Sequence, residues 1–203
     1  MKKTLIFDLD GTLWDTTKAV RKIWNKVLNE ENLKFSKADI KNIMGLTTEE
    51  IINFLFKNNY KKGNEFIIKC QNEENVYLSH NGGNIYRNVL STIKKLINGN
   101  DLYIVSNCQS GYIEAFFKYY ELRDYFIDYE CYGNTGKEKA TNIRILLERN
   151  NINNAIYVGD TEKDYLAAKE NNLKFIWAKY GFGECKKYDD YIEDISELNY
   201  KII

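Results

Sequence analysis

Short apolar runs alternate along the chain with longer amphipathic segments. Most of the runs are almost continuously hydrophobic, as expected for strands that helices cover on both faces. The predicted strands are Thr4–Leu9, Leu102–Ser106, Phe126–Cys131, Ala155–Val158 and Lys174–Ala178. In the third of these, acidic residues alternate with apolar ones, which favours a position nearer the sheet edge. Helical patterns at about 109–120, 139–150 and 162–171 separate the later strands. This alternation predicts an α/β fold built around a parallel sheet.

The interval between the first two predicted strands is much longer than one crossover helix requires. About ninety residues separate them, and helical periodicity recurs at about 17–32, 36–43, 47–58, 62–79 and 85–98. We therefore expect residues 16–79 to form an inserted helical domain, with residues 1–15 and 80–203 forming the α/β core. The polar cluster His80–Asn84 would be the hinge through which the chain returns.

Composition narrows the class of protein. The 203 residues are 44% hydrophobic, and 29 basic residues balance 29 acidic ones. No basic block supports extended nucleic-acid binding. No apolar stretch approaches the roughly 18 to 20 residues of a membrane span, and Asp8 comes too early for a signal peptide. We expect a cytoplasmic protein. Four cysteines without regular spacing favour reduced thiols over a zinc site or disulfides.

Two aspartates stand at the carboxyl end of the first predicted strand. Asp8 and Asp10 are two residues apart, so an extended backbone directs both side chains the same way, and Gly11 lets the chain turn sharply after them. Burying carboxylates is costly unless something binds them. In α/β sheets, ligands lie at this end of the strands. The pair suits a hard cation such as Mg²⁺, and it also supplies a nucleophile beside a general acid/base.

The string Asp8-Leu9-Asp10-Gly11-Thr12 resembles the DxDGT signature of the haloacid dehalogenase superfamily, most of whose members are phosphohydrolases. The resemblance implies that Asp8 is the nucleophile and Asp10 the general acid/base. The second aspartate speaks against the dehalogenase branch, which lacks it and works without metal. The implied fold is a Rossmannoid parallel sheet flanked by helices, with an inserted α-helical cap domain.

The next two motifs of that superfamily can be sought in order along the chain. A strand ending in Ser106 and Asn107 supplies the second, and its hydroxyl and backbone amides would hold phosphate oxygens. The third is a lysine at a helix start, where an anion is favoured. Lys139 and Lys137 both qualify. Register with the helix favours Lys139, although a lysine in a loop is ordinarily just solvated.

The fourth motif is a strand followed by acids. Gly159-Asp160-Thr161-Glu162-Lys163-Asp164 matches the GDxxxD pattern. The resemblance implies that Asp160 joins Asp8 and the backbone carbonyl of Asp10 on Mg²⁺, and that Asp164 faces the same metal. Taken alone, the string could equally place Asp160 at the N-cap of a helix.

Two stretches resemble phosphoglycolate phosphatase-like members of the superfamily. Around Gly45 and Leu46 the chain is similar to a segment between cap helices, which would place both residues near the substrate. A helix-loop-helix joint with Thr47 as N-cap explains the same residues. The loop Tyr180–Gly183 is similar to that subgroup as well. Trp14 and Trp24 are candidates for the contact between cap and core, with core packing the favoured role for Trp24.

The implied activity is Mg²⁺-dependent hydrolysis of a small phosphorylated metabolite through an aspartyl-phosphate on Asp8. Neither nucleic acid nor membrane is expected as a partner, and the chain is expected to be a monomer or homodimer. Two alternatives share the core motifs: a phosphomutase of the β-phosphoglucomutase type and a non-catalytic phosphoester-binding relative. The basic cap signature of the mutase is not evident, since Arg21 is the only arginine before Arg87. The single histidine, His80, disfavours histidine-based phosphatase chemistry.

Overall fold

Six parallel strands form the central sheet of the protein. The computed structural model describes residues 2–28, 42–43, 46–56 and 59–202, without the side chain of Leu28. In chain order the strands of the described residues are β1 Lys3–Phe7, β2 Trp14–Asp15, β3 Asn84–Ile85, β4 Asn100–Ser106, β5 Asp128–Cys131, β6 Ile156–Gly159, β7 Lys174–Ala178 and β8 Asp190–Ile192. The six-stranded sheet has the order β5-β4-β1-β6-β7-β8, and β2 pairs with β3 in a separate antiparallel ribbon.

Strand β1 lies inside the sheet, with β4 on one side and β6 on the other. Phe7, the last residue of β1, pairs in register with Ile104 and with Val158. The carboxyl ends of the three strands therefore meet at one edge. Because sequence-distant strands flank β1, the residues that follow them can surround Asp8.

Helices connect the strands and cover the sheet. In the described residues they are α1 Thr17–Leu28, α2 Thr48–Phe56, α3 Tyr60–Asn81, α4 Val89–Leu96, α5 Tyr112–Tyr120, α6 Tyr132–Thr135, α7 Lys139–Arg149, α8 Glu162–Glu170 and α9 Leu198–Lys201. Short 3₁₀ turns lie at Arg123–Tyr125 and Ile195–Glu197. No helix in these described ranges combines the length and apolarity needed to cross a bilayer.

Side chains alternate between the two faces of β1 and build separate hydrophobic clusters. Leu5 and Phe7 belong to the cluster under α4, α5 and α9, whereas Ile6 belongs to the cluster under α7 and α8. This alternation is the period of two that a strand imposes. A third cluster lies between α1, α2 and α3 and includes Ile23 and Ile67. The three helices therefore bury an apolar interior of their own.

The predicted α/β class with a parallel sheet is confirmed. All five predicted strands are present, and β5 lies at the sheet edge as its alternating acids indicated. Strand β8 and the ribbon of β2 and β3 were not predicted. The predicted helix at 85–98 is in fact β3 followed by α4, and α3 continues to Asn81, where Gly82 at φ +67° ends it. The predicted helix at 36–43 lies outside the described residues except for positions 42 and 43.

Candidate active site

Asp8 lies directly after β1 with almost no exposure to solvent. Its backbone N–H donates to the carbonyl of Val158 across the sheet at 2.8 Å, which fixes the chain at the strand end. The Nζ atom of Lys139, the first residue of α7, donates to Asp8 Oδ1 at 2.8 Å and to Asp164 Oδ1 at 2.5 Å. The fold therefore brings Lys139 to Asp8, whereas Lys137 is exposed.

The charged side chains of this group strongly affect one another's pKa because they are buried together. Burial raises the pKa of Asp8 to about 6, although Lys139 acts in the opposite direction. Burial also disfavours the charged form of Lys139, but Asp164 and Asp8 outweigh it and hold the pKa of the ammonium well above its usual range. Lys139 is therefore a permanent cation beside the nucleophile candidate.

Asp160 follows β6 and is held by the loop Tyr180–Gly183. Its Oδ2 accepts from the backbone N–H of Phe182 at 2.7 Å and of Gly183 at 3.1 Å. The loop approaches so closely that a Cβ on Gly181 would lie 2.4 Å from Asp160 Cβ. Gly11, at φ +84°, passes the same carboxylate, and a Cβ there would lie 2.2 Å from Oδ2. Both glycines allow the backbone to enclose Asp160.

Asp164 lies in the first turn of α8 and is completely buried. Its Oδ2 accepts from the backbone N–H and the hydroxyl of Thr161, at 2.9 and 2.7 Å, while Thr161 caps the helix in return. The N-cap is thus Thr161 and not Asp160, the alternative that the sequence left open. The carboxylate of Asp160 can therefore face that of Asp8.

Three carboxylates form a group that suits a divalent cation. Asp8, Asp160 and Asp164 each offer an oxygen, and these atoms lie within 4.8 Å of one another. Oxygen ligands at about 2.0–2.1 Å from Mg²⁺ stand roughly 3 to 4 Å apart, so the group needs only a small contraction. Asp160 Oδ1 is buried without a hydrogen-bond partner among the described residues. An unpaired buried oxygen of this kind is expected where a ligand binds. The donor set therefore fits a hard metal ion.

Asp10 occupies a different environment from Asp8. Its Oδ1 accepts from the hydroxyl of Tyr112 at 2.8 Å and from that of Thr16 at 3.1 Å, and the two hydroxyls lie 2.7 Å apart. Burial raises the pKa of Asp10 to about 8, which outweighs the Tyr112 hydrogen bond. Asp10 is therefore mostly protonated at neutral pH, with both fixed donors on Oδ1.

Ser106 and Asn107 lie where β4 ends, at the same edge of the sheet. Both are buried, and both line a small cavity that Asp8 and Asp10 also line. Asn107 further borders an adjoining cleft that contains Lys139. The structure thus brings together Asp8, Asp10, Ser106, Asn107, Lys139, Asp160 and Asp164.

Helices α1, α2 and α3 supply the opposite wall of this cavity. Its volume is about 50 Å³, and its lining from that side includes Trp24, Leu46 and Glu74. Leu46 therefore lies at the site, while Gly45 falls outside the described residues. The N-cap interpretation of Thr47 also holds, because its Oγ1 accepts from the N–H of Glu50 and its own N–H donates to that side chain.

Several residues at the site were not assigned there from the sequence, among them Thr16, Tyr112 and Glu74, and core packing was the favoured role for Trp24. Trp24 joins the cluster of α1–α3 as expected, but its indole N–H also donates to Glu74 Oε2 at 2.9 Å. Glu74 had a usable signal, since it is an acid on the otherwise largely apolar buried stripe of α3. Trp14 packs in the core against Tyr112. His80 is exposed and is not part of the cavity lining.

Comparison with known proteins agrees with this geometry. Residues 5–178 match the family described as haloacid dehalogenase-like hydrolase. A comparison with curated proteins gives no significant match. Among solved structures, the chain is similar to a haloacid dehalogenase-like hydrolase from Streptococcus pneumoniae, with 20% identity over 100% of this chain and 99% of that one and a TM-score of 0.87.

Two further structures share the fold. One is a predicted phosphoglycolate phosphatase from Haemophilus somnus, with 18% identity, coverage of 100% and 98%, and a TM-score of 0.85. The other is CbbY from Rhodobacter sphaeroides in complex with phosphate, with 18% identity, coverage of 98% and 96%, and a TM-score of 0.83. At these sequence identities, the similarity to the solved structures shows the fold alone.

Proposed function

Because the chain belongs to the haloacid dehalogenase-like hydrolases, we propose that it hydrolyses a small phosphate monoester through an aspartyl-phosphate on Asp8. The observation that carries the proposal is the buried group of Asp8, Lys139, Asp160 and Asp164 at one edge of the sheet. A nucleophilic carboxylate, a fixed cation and a divalent-metal donor set meet there. These are the components that phosphoryl transfer requires.

In the first step, Asp8 attacks phosphorus and the bond between phosphorus and the leaving oxygen breaks. Asp10 protonates that oxygen as it leaves, so the alcohol departs neutral. The raised pKa of Asp10, about 8, keeps the proton available at neutral pH. Since Thr16 and Tyr112 both occupy Oδ1, the transferable proton resides on Oδ2.

In the second step, the deprotonated Asp10 takes a proton from water. The water oxygen bonds to phosphorus and the bond to Asp8 breaks, which releases inorganic phosphate and restores both carboxyl groups. The same Asp10 oxygen thus serves as acid and then as base. Lys139 and the residues at the end of β4, Ser106 and Asn107, stabilise the charge on the transferring phosphoryl oxygens.

Mg²⁺ fits the three-carboxylate group best, because all the side-chain donors are hard oxygens. Asp8, Asp160 and Asp164 would hold it, with the backbone carbonyl of Asp10, whose carboxylate lies outside the group. When bound, the ion supplies positive charge against the phosphate oxygens. The carboxylates outnumber Lys139, so without such an ion the site would repel a phosphate dianion.

We further propose that residues 16–79 act as a cap over residues 1–15 and 80–203. The cavity of about 50 Å³ is much smaller than an ordinary ligand pocket of roughly 300 Å³ or more. The cap would therefore open to admit substrate and close to exclude water. The ion pair between Glu50 of α2 and Lys163 of α8 joins the two parts in the closed arrangement.

A phosphomutase remains the alternative. A bisphosphorylated intermediate would need cations on the cap side to hold its second phosphate. Among the described residues that line the cavity, the cap contributes the carboxylate of Glu74 and no lysine or arginine. This lining favours hydrolysis.

Phosphate release from a panel of phosphorylated metabolites, with and without Mg²⁺, tests the proposal. The panel includes phosphoglycolate, sugar phosphates and nucleoside monophosphates. We expect Mg²⁺-dependent release by the wild type and none by Asp8→Asn, with the variant still folded by circular dichroism. Isomerised hexose phosphate without release would indicate the mutase, and activity in Asp8→Asn would refute the nucleophile.

A further inference from the structure

Helix α3 carries a carboxylate on its buried side. The buried positions of this helix recur at helical spacing, and those around Glu74 are apolar: Ile67, Cys70 and Leu78. Glu74 is 4% exposed. An apolar side chain would continue the stripe without the penalty of burying a charge. Packing alone therefore does not account for an acid at this position.

The partners of Glu74 are neutral. The indole N–H of Trp24 donates to Oε2 at 2.9 Å, and the side chain of Gln109 also lies within hydrogen-bonding reach. No lysine, arginine or histidine stands among the described residues that line this cavity. Among the described residues, two neutral donors orient the carboxylate and none compensates its charge, so a donor brought by a ligand would be favourable.

Glu74 faces the place where a leaving group would lie. It lines the same cavity as Asp8 and Asp10, from the wall formed by the cap. When ionised, the Glu74 carboxylate acts to raise the pKa of both Asp10 and Tyr112. When Asp8 attacks phosphorus, the leaving alcohol extends past Asp10, because Asp10 must reach the leaving oxygen. The alcohol then continues toward the cap wall. The rest of the alcohol therefore meets Glu74.

From this position we infer that Glu74 is a specificity-determining residue for the leaving group. The inference rests on the proposed phosphatase function. In its ionised form, Glu74 accepts a hydrogen bond from a hydroxyl or a protonated amine on the leaving alcohol and repels a carboxylate. The substrate is then a phosphate ester of a small polyol or amino alcohol, and phosphoglycolate is disfavoured.

Three esters with the same two-carbon skeleton test this inference: 2-hydroxyethyl phosphate, 2-aminoethyl phosphate and phosphoglycolate. They differ only in whether a hydroxyl, an ammonium or a carboxylate meets the cap. We expect kcat/KM of the wild type for the better of the first two to exceed that for phosphoglycolate by about tenfold or more. p-Nitrophenyl phosphate reports separately on the catalytic groups.

Glu74→Gln removes the charge and keeps a carbonyl oxygen for the indole of Trp24. We expect it to lower the preference for the donor-bearing ester over phosphoglycolate by about tenfold, mainly through KM. Glu73→Gln is the matched control, because the neighbouring Glu73 pairs with Lys26 on the outer surface. Its preference is expected to stay within about twofold of the wild type.

The outcomes separate this inference from the proposed function. If the wild type hydrolyses neither p-nitrophenyl phosphate nor any of the three esters, the phosphatase proposal fails and this inference fails with it. If p-nitrophenyl phosphate is hydrolysed but the wild type prefers phosphoglycolate, only the role of Glu74 is overturned. Equal preferences in the wild type and Glu74→Gln overturn it as well. The wild-type measurement does not depend on any variant folding.

Discussion

The ammonium of Lys139 lies between two buried carboxylates, those of Asp8 and Asp164. Both contacts are short, and all three side chains are at most 7% exposed. In such a group the lysine offsets the repulsion among the acids, and each acid in turn offsets the burial of the lysine. Lys139 therefore stabilises the folded protein without metal, in addition to the phosphate-holding role that the proposed function gives it.

Lys139→Met tests that dual role. Removing one partner of a buried ion pair leaves charge uncompensated, and we expect the free energy of unfolding without metal at neutral pH to fall by about 3 kcal/mol. Phosphate release is expected to be lost. Lys137→Met, two residues away on an exposed side chain, serves as the control and should match the wild type in urea unfolding. A stable Lys139→Met with full activity would contradict the assignment.

The buried carboxyl of Glu74 predicts a distinct dependence of the free energy of unfolding on pH. Burial raises its pKa from 4.5 to about 7, so the folded protein binds this proton more tightly than the unfolded chain. The contribution of this proton to the free energy of unfolding is complete below about pH 4.5. It is lost as pH rises toward 7, and the total loss is about 3 kcal/mol. Relative to the wild type, Glu74→Gln should therefore gain stability across this window.

Urea unfolding of both proteins at several pH values from 5 to 8 measures the difference. Because Asp10 titrates in an overlapping range and interacts with Glu74, the gap between the two curves reports on Glu74 together with its coupling to Asp10. Glu73→Gln should run parallel to the wild type. Parallel curves for Glu74→Gln would show that the carboxyl is not buried as described.

At the scale of elements, the loop Tyr180–Gly183 determines how Asp160 is presented. Two successive backbone N–H groups hold Oδ2, while Oδ1 stays without a partner among the described residues. The loop thus orients one oxygen and leaves the other for a ligand. Gly181 permits this close approach, since a side chain there would collide with both Asp160 and the carbonyl of Gly11.

Gly181→Ala should therefore impair metal binding more than folding. The added Cβ would lie 2.4 Å from the Gly11 carbonyl and from Asp160 Cβ, so the carboxylate must shift. We expect the Mg²⁺ concentration for half-maximal activity to rise about tenfold or more, as for other changes to groups that orient a ligand. Gly99→Ala, where a Cβ meets nothing within 4 Å, should leave it unchanged. An unaltered Mg²⁺ dependence in Gly181→Ala would refute the role of the loop.

Much of this element pattern could be predicted from the sequence. Short apolar runs form the buried strands β1, β4, β6 and β7. The acidic residues of the site that the motifs predicted follow strand ends. Strand β8, with the sequence Asp-Tyr-Ile, is too short and too polar to show a period. The ribbon of β2 and β3 has two residues in each strand, so pairing across about seventy residues of chain creates it and local propensity does not.

The motif residues of the site were predictable, and the site residues inside other helices were much less so. Asp8, Asp160 and Lys139 follow from motifs tied to strand and helix ends. Glu74 and Tyr112 lie on helices, and which helical residue meets a distant site depends on how the helices pack. Local spacing marks Glu74 as an acid on a buried stripe, but it does not indicate which distant site that acid meets.

At the scale of the whole molecule, two parts with separate apolar interiors meet across one small cavity. In the proposed function, the core supplies the nucleophile, the proton donor and the metal donors, and the proposed cap contributes Leu46, Trp24 and Glu74 to the cavity lining. Chemistry and specificity would then be carried by different parts of the chain. Substitutions in the core should change turnover of every ester, and those in the cap should change the ranking of esters.

The central claim is covalent transfer to Asp8, and pre-steady-state turnover by Asp10→Asn tests it most directly. p-Nitrophenolate leaves without protonation, so this variant can complete the first step but lacks the base for the second. We predict a burst of one p-nitrophenolate per protein with Mg²⁺, and mass spectrometry of the quenched protein should find the phosphoryl group on Asp8. Steady turnover without a burst, or a phosphoryl group on any other residue, would contradict the account.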